Sequence, residues 1–426
     1  MKLIIYGGKV IDSVEHTVSR RDIAIENGVI ASMENGLSEL AADGDEVRVI
    51  DATGLLIAPG LFDMHCHLRE PGFEYKEDIE SGTRAAAKGG FTSVACMPNL
   101  RPVTDGEDAL LYLKKRAEEK GAVRVFPIAA ITKSSAGAEL TDIRRLAECG
   151  AVAVSDDGRP VMDASVMKRA MLLAKECGIP VISHCEDMPL TGRGVMNEGE
   201  VSRRLGVPGI PGSSEEVMVA REIVLALETG TAVHIAHVST KTSVALVRFA
   251  KAAGARVTCE TCPHYFSLTD GLVEEIGALA KVNPPLRTAQ DAEAVIEGLL
   301  DGTIDAIATD HAPHAMDEKK DLLSASSGFS GFETALSAAV TYLGDKMELC
   351  RIIEKMTVNP ARILNIDKGE IREGKTADLT IFDPDGEWTV RRSEFLSKGK
   401  NTPYEGRTLK GLVRYTIIAG KVVYKG

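Results

Sequence analysis

Eight short apolar segments of β character recur along the middle of the chain, each followed by a longer stretch with helical spacing. No other feature limits the fold so much. The segments are "GLFDMHCHL" (60–68), "TSVACMP" (92–98), "VRVFPIAAI" (123–131), "AVAVSDDG" (151–158), "IPVISHCED" (179–187), "AVHIAHVS" (232–239), "RVTCETCPHY" (256–265) and "DAIATDHAPH" (305–314). Stretches 76–88, 105–120, 163–177 and 331–343 carry the small residues and amphipathic spacing of helices. This is the pattern of βα units around a parallel sheet, and eight such units close naturally into a (β/α)8 TIM-type barrel. At 426 residues the chain can hold that barrel and a small second domain.

The second domain is expected from both ends of the chain. "IIYGGKVID" (4–12) and "IIAGKVVYKG" (417–426) each place a glycine turn between short β-branched runs and read as hairpins of one sheet. Further strand-like pieces, "DIAIENGVIASM" (22–33), "VRVIDATGLLIA" (47–58) and "ADLTIFDP" (377–384), cluster at the same two ends. Residues 1–58 and 369–426 are therefore expected to form a small, discontinuous β-sandwich-like domain, with residues 59–368 forming the barrel.

Hydrophobic residues at 44% and charged residues at 26% are ordinary for a globular protein, and the net charge of −12 is spread along the chain. Nothing in that balance suggests a nucleic-acid or membrane surface. Eight scattered cysteines, and an N-terminus "MKLIIYGGKVIDS" whose Lys9 and glycines interrupt any apolar core, point to a reduced, cytoplasmic compartment. Cys259 and Cys262 in "CETC" have no second pair to complete a zinc site and are read as structural.

Polar chemistry gathers at the C-terminal ends of the eight segments. His65 and His67 close the first, Asp157 the fourth, His184 the fifth, His237 the sixth and Asp310 the eighth. In a barrel those ends converge on one mouth, where active sites lie. Strand alternation sends both rings of His-x-His to one side, here the interior. Four imidazoles and two carboxylates suit zinc, and less specifically manganese or cobalt. His234, three residues before His237, has the opposite parity and is expected to point outward as a structural residue. His16 falls in a surface turn, and His264 is either close to the ligands or simply packed.

The motifs "DMHCHLREPG" (63–72), "GGFTSVACMPN" (89–99), "HCED" (184–187), "HVST" (237–240), "VNPPLR" (282–287) and "ATDHAPH" (308–314) run through the whole barrel, and with them the chain resembles the dihydroorotases of the amidohydrolase superfamily. The resemblance implies reversible interconversion of N-carbamoyl-L-aspartate and L-dihydroorotate, in pyrimidine biosynthesis. It implies one zinc held by His65, His67 and Asp310 and a second by His184 and His237. It also implies substrate contacts from Arg69, Asn99, Asn283 and His314, a homodimer, and aspartate transcarbamoylase as a partner. Many relatives bridge two metals with a carboxylated lysine, which "VSDDGRP" (154–160) lacks; Asp157 takes that place here, with Asp156 the other choice. Relatives also tend to carry Pro-Phe where this chain has Ser326 and Ser327.

Chemistry accounts for the set. A cyclic amide is a poor electrophile, and zinc lowers the pKa of a coordinated water to about 7 and polarises the carbonyl. Asp310 is placed to take a proton from that water and return it to the amide nitrogen. Arg69 can pair bidentately with the dihydroorotate carboxylate. Two other readings share much of this sequence: a related cyclic amidase (hydantoinase, allantoinase or dihydropyrimidinase), which needs no carboxylate clamp, and a non-catalytic scaffold for aspartate transcarbamoylase, in which the ligands would decay.

Overall fold

Gly60 alone separates a strand of one sheet, Leu56–Pro59, from the first strand of the barrel, Leu61–Cys66, and a Cβ on it would stand 2.2 Å from Thr92 Oγ1. The chain is described by a computed structural model over residues 2–37 and 47–426. Its largest sheet contains β1 (Leu61–Cys66), β2 (Phe91–Cys96), β3 (Arg124–Ala129), β4 (Ala153–Val154), β5 (Val181–Ser183), β6 (Val233–Ile235), β7 (Val257–Thr261) and β8 (Ala306–Ile307). Each is parallel to the next in chain order. Seven lie within the segments read from the sequence, and β2 begins one residue ahead of its segment, at Phe91. A parallel bridge between Cys66 and His311 joins the last strand's end to the first, with the His67 N–H donating to the His311 carbonyl at 2.8 Å.

Alternation sorts the apolar side chains into two layers. Phe62, Met64, Ala95, Met97, Ile128, Ala153, Ile182, Ala236 and Ala306 fill the barrel, while Val94, Val154, Val181, Val233 and Ile235 face the surrounding helices. Helices Ile79–Lys88, Glu107–Lys120, Ala164–Cys177 and Phe332–Leu343 occupy the stretches expected of them. Their ends are marked locally. Asp78 caps the first by accepting from Ser81 N–H at 2.7 Å, and Gly178, at φ +70, stops the third in a left-handed turn. The helix Val358–Ile363 closes the barrel where its strands begin: Ala361 and Leu364 join the inner core, and Asn359 donates to the Asp305 carbonyl at 3.0 Å.

The terminal strands form two sheets rather than one. Lys2–Tyr6, Ile23–Glu26, Val29–Ser32 and Val47–Asp51 make a four-stranded sheet. Lys9–Asp12, Thr17–Arg20, Leu56–Pro59, Leu379–Thr389, Thr408–Ile418 and Lys421–Lys425 make a six-stranded one. The expected hairpin at 417–426 is present, with Ile417 opposite Val422. The one expected at 4–12 is not. Gly7, at φ +78, carries the chain from one sheet to the other, which lets Ile5 and Val10 enter a shared core with Ile25, Ile57 and Leu379. Pairing the two strands in one ladder would have given up that burial.

Asp378 ties the six-stranded sheet to the barrel. Its Oδ2 accepts from Arg124 of β3 and from Lys368, both at 2.8 Å, its Oδ1 accepts from Ala419 N–H at 2.9 Å, and its carbonyl accepts from Gly60 N–H at 2.9 Å. Hydrogen bonds to charged partners contribute about 1.5–3 kcal/mol each, less where water screens them. Asp378→Ala should therefore lower the unfolding free energy by about 2–3 kcal/mol, read as a lower urea midpoint. An unchanged midpoint would mean that this junction contributes nothing to stability.

Candidate active site

The polar residues at the strand ends meet in one place. His67, Arg69, Asn99, Asp157, His184, His237, Asn283, Asp310 and His314 line a single cavity of about 230 Å³, together with Gly158, Ala312, Ser327 and Gly328. His65 lies beneath it, fully buried. Local backbone irregularity puts these side chains there. The register of β1 against β2 shifts between Asp63 and Cys66, and Arg69, His237 and Asp310 adopt left-handed conformations at φ +63, +36 and +46. Asp63 fastens the seam by accepting from Thr309 N–H at 2.9 Å and Thr309 Oγ1 at 2.6 Å.

Asp157 stands at the centre. Its Oδ1 is 3.4 Å from His65 Nε2, 3.5 Å from His184 Nδ1 and 3.8 Å from His237 Nε2, and its Oδ2 is 3.5 Å from His67 Nε2. Asp310 Oδ1 lies 3.1 Å from His67 Nε2 and 3.7 Å from His65 Nε2. Two groups of donors fall close enough together to share an ion: His65, His67 and Asp310, and His65, Asp157 and His237. Of the two candidate carboxylates, Asp156 is turned away and caps the next loop, its Oδ1 accepting from Ile131 N–H at 2.8 Å and Thr132 N–H at 3.1 Å.

Three imidazoles are held so that one ring nitrogen faces the cavity and the other an outer partner. His65 Nδ1 is 2.6 Å from Glu260, His67 Nδ1 2.9 Å from Asn99 Oδ1, and His184 Nε2 2.9 Å from Glu186. Each outer partner accepts a hydrogen bond from the ring, which fixes its orientation and leaves the inner nitrogen as the one that ligates once its proton is displaced. His65 Nε2 and Asp157 Oδ1 are buried without a hydrogen-bond partner. Buried polar atoms are normally paired, so unpaired donor atoms of these types, aimed at one another, fit a cation between them.

Electrostatics point the same way. Burial opposes charge on His184, but the Asp157 and Glu186 carboxylates outweigh it and push the imidazole up to about 10. Burial likewise opposes charge on His65, and Asp157 and Glu260 hold it well above its ordinary value. The same pairs, working against burial, bring Glu260 and Glu186 down to about 2 and keep Asp157 and Asp310 below the usual carboxylate range.

The end of the cavity formed by Arg69 and His314 lies beside Lys76 and is basic. Arg69, partly buried, donates from Nε to the Pro313 carbonyl at 3.3 Å, and among the described residues no carboxylate lies within ion-pair distance of it. His314 accepts at Nδ1 from Lys76 at 3.2 Å and donates from Nε2 to the Ser327 carbonyl at 2.8 Å. Burial, then the Arg69 and Lys76 charges, push it down to about 2, so it is neutral. Asn283 reaches the cavity with its amide donating to Glu186 at 2.9 Å.

Some residues stand otherwise than their sequence context suggested. His234 faces the barrel interior, not the helices: it is fully buried, with Nδ1 2.8 Å from Thr258 Oγ1 and Nε2 3.4 Å from Glu260. Parity cannot be counted from His234 to His237, because β6 ends at Ile235 and His237 has a positive φ. His264 is packed against Tyr265 and Phe329, and burial lowers its pKa to about 3. His16, half-buried in its turn, pairs with Glu354 at 3.0 Å. Cys259 and Cys262 are buried free thiols. Glu260 and Glu186, which brace two histidines, are not among the residues expected from the sequence. An acidic residue inside the apolar strand "VTCET" and the Glu of "HCED" were the available signals.

Two expectations follow. Glu260→Gln removes the acceptor that holds His65, and loss of such an outer partner typically weakens metal binding by about 10–100-fold, measurable as metal retained against a chelator. Retention equal to the parent would mean that His65 needs no such brace. Metal must displace protons from His65 and His184, whose pKa values are raised, so apparent metal affinity of the stripped protein should climb from pH 6 to pH 8. The slope is on the order of tenfold per pH unit for each proton displaced, and a flat profile in a competition titration would contradict this arrangement.

Comparison with known proteins fits the geometry. A family profile described as "Dihydro-orotase-like" matches residues 54–243. The chain is 51% identical to a dihydroorotase of Acetivibrio thermocellus over 426 residues, covering 99% of each chain. It is 53% identical to one of Pelotomaculum thermopropionicum, covering 99% of this chain and 98% of the other. Among solved structures, an L-hydantoinase (dihydropyrimidinase) from Arthrobacter aurescens superposes with a TM-score of 0.89 at 27% identity, over 99% of this chain and 96% of that one. A D-hydantoinase from a Thermus species shares the fold, with a TM-score of 0.86 at 24% identity over 99% and 94%. A barrel carrying a histidine and carboxylate cluster at its mouth, full-length identity of about half to dihydroorotases, and a fold shared with hydantoinases together place this chain in the dihydroorotase family.

Proposed function

We propose that the chain is a zinc-dependent dihydroorotase that interconverts N-carbamoyl-L-aspartate and L-dihydroorotate, with the cavity at the barrel mouth as its active site. The observation that carries this reading is the pairing of two features in one small cavity: a cluster of metal-type donors and, beside it, a guanidinium that meets no carboxylate among the described residues. Hydrolysis of a cyclic amide needs the first, and recognition of a ring carboxylate needs the second.

His65, His67 and Asp310 would hold one zinc ion, and His184 and His237 a second, with Asp157 between them. The chemistry zinc supplies there is Lewis acidity, which lowers the pKa of water to about 7 and polarises a carbonyl oxygen. The chain's own residues do the rest. Asp310, ionised and 3.1 Å from His67, receives a proton as the ring amide is attacked and delivers it to the departing nitrogen. In the biosynthetic direction the same transfers run backwards. Arg69 pairs with the substrate carboxylate, and Asn99, Asn283 and neutral His314 complete its polar surroundings. The cavity, of about 230 Å³ and lined largely by polar side chains, suits a small polar metabolite.

The hydantoinase reading shares the fold but gives no role to an Arg69 that meets no carboxylate among the described residues. A non-catalytic scaffold gives none to six donor side chains kept in reach of one another. No helix among the described residues is long and apolar enough to cross a membrane. We further propose a cytoplasmic homodimer that associates with aspartate transcarbamoylase.

Substrate preference tests the reading. Dihydrouracil lacks the carboxylate and leaves a charged donor unpaired, and sites built around a polar substrate group reject the analogue without it by about 10⁴. Dihydroorotate should therefore exceed dihydrouracil in kcat/KM by at least roughly 10³, and Arg69→Met should erode that preference mainly by impairing dihydroorotate. Equal turnover of hydantoin or dihydrouracil by the parent enzyme would transfer the assignment to a broader cyclic amidase.

A further inference from the structure

Beside the cavity, the loop after the short 3₁₀ turn Met316–Lys319 folds around a buried ammonium group. Lys319 is only 4% exposed. Its Nζ donates to the carbonyls of Lys281 at 2.9 Å, Ser326 at 2.8 Å and Gly328 at 3.0 Å. An ammonium has three donors, and here each has one backbone acceptor. Among the described residues no carboxylate lies within ion-pair distance of it. Burial, and then the neighbouring Lys281 cation, push its pKa down to about 7. A group so costly to bury persists where it does something that an unbranched apolar side chain could not.

What it holds is one wall of the cavity. Ser326 and Gly328 flank Ser327, and both Ser327 and Gly328 line the site. The Ser327 carbonyl accepts from His314, so the stretch that Lys319 fixes also orients a substrate-facing imidazole. Neither serine has a ring to restrict its backbone. Gly328 adds a tight constraint: at φ +120, a Cβ there would stand 2.6 Å from Ala312 Cβ. The Lys281 carbonyl receives both Lys319 Nζ and Gly328 N–H, the latter at 3.0 Å, and Asn401 donates to the Gly328 carbonyl at 2.8 Å while accepting from His314 N–H at 3.2 Å.

We infer that Lys319 is a positioning residue for substrate binding: through the Ser326 and Gly328 carbonyls it sets the backbone of 326–328, and with it His314, against the substrate. This inference rests on the cavity being the dihydroorotate site. It requires no contact between Lys319 and the ligand or the metal donors.

The test is Lys319→Met, which keeps the apolar stem of the side chain, one atom shorter, while removing its charge and donors, in the metal-loaded full chain. KM for dihydroorotate should rise by roughly tenfold or more, the equivalent of about 1.4 kcal/mol of binding. The value of kcat should stay within about threefold and metal content should be unchanged, since the proton-transfer groups are untouched. Hydrogen exchange should quicken in 321–328 and not in the barrel strands. An unchanged KM, or a loss of kcat accompanied by loss of metal, would overturn the inference. If the methionine variant does not fold, Lys319→Gln takes its place under the same criteria. Failure of the parent enzyme to turn over dihydroorotate would instead strike at the functional reading on which the inference stands.

Discussion

The seam between the first and last barrel strands is the contact on which everything else depends. Cys66 bridges His311, His67 N–H donates to the His311 carbonyl at 2.8 Å, and Asp63 holds Thr309. Only when that seam closes does His67 come within 3.1 Å of Asp310, a residue 243 positions away in sequence. No local segment can build the metal-type cluster by itself. The ring must close first, and loop-closure entropy over most of the chain is the cost of doing so. The Asp378 junction works on the same seam from outside, since its carbonyl receives the Gly60 N–H just ahead of β1.

Inside the closed ring, electrostatic dependence replaces chain connectivity. Asp157 touches all four histidines, and three of those rings are braced from behind by Glu260, Asn99 or Glu186. Glu260 also lies 3.4 Å from His234, and Glu186 also receives Asn283 and Thr191. Each brace therefore reaches one layer further into the fold, and a change in an apparently structural side chain can be felt at the ligands.

Much of this was legible in the sequence. Strand-like segments with polar ends mark a barrel and its mouth because side-chain alternation and strand direction are local properties, and the ten residues singled out there do converge. The failures have a common origin. Strand parity counted back from His237 puts His234 on the wrong face, because β6 ends at Ile235. The glycine pair at 7–8 reads as a hairpin turn only while the core shared by two sheets is out of view. Glu260 and Lys319 are charges in buried places, and their partners come from segments distant in sequence: β1 for the one, the Lys281 carbonyl for the other. Periodicity reports what a residue does on its own element and says nothing of a partner brought in by folding.

Arg69, His237 and Asp310 carry one more implication. A left-handed backbone at a residue other than glycine is disfavoured by about 1–2 kcal/mol, and all three conformations sit where the chemistry is. Thermal robustness and turnover thus pull in opposite directions at three defined positions. A lineage that no longer needed the reaction could gain stability by drifting there to glycine or asparagine, so these sites would record early whether a descendant of this chain is still an enzyme or has become only a scaffold.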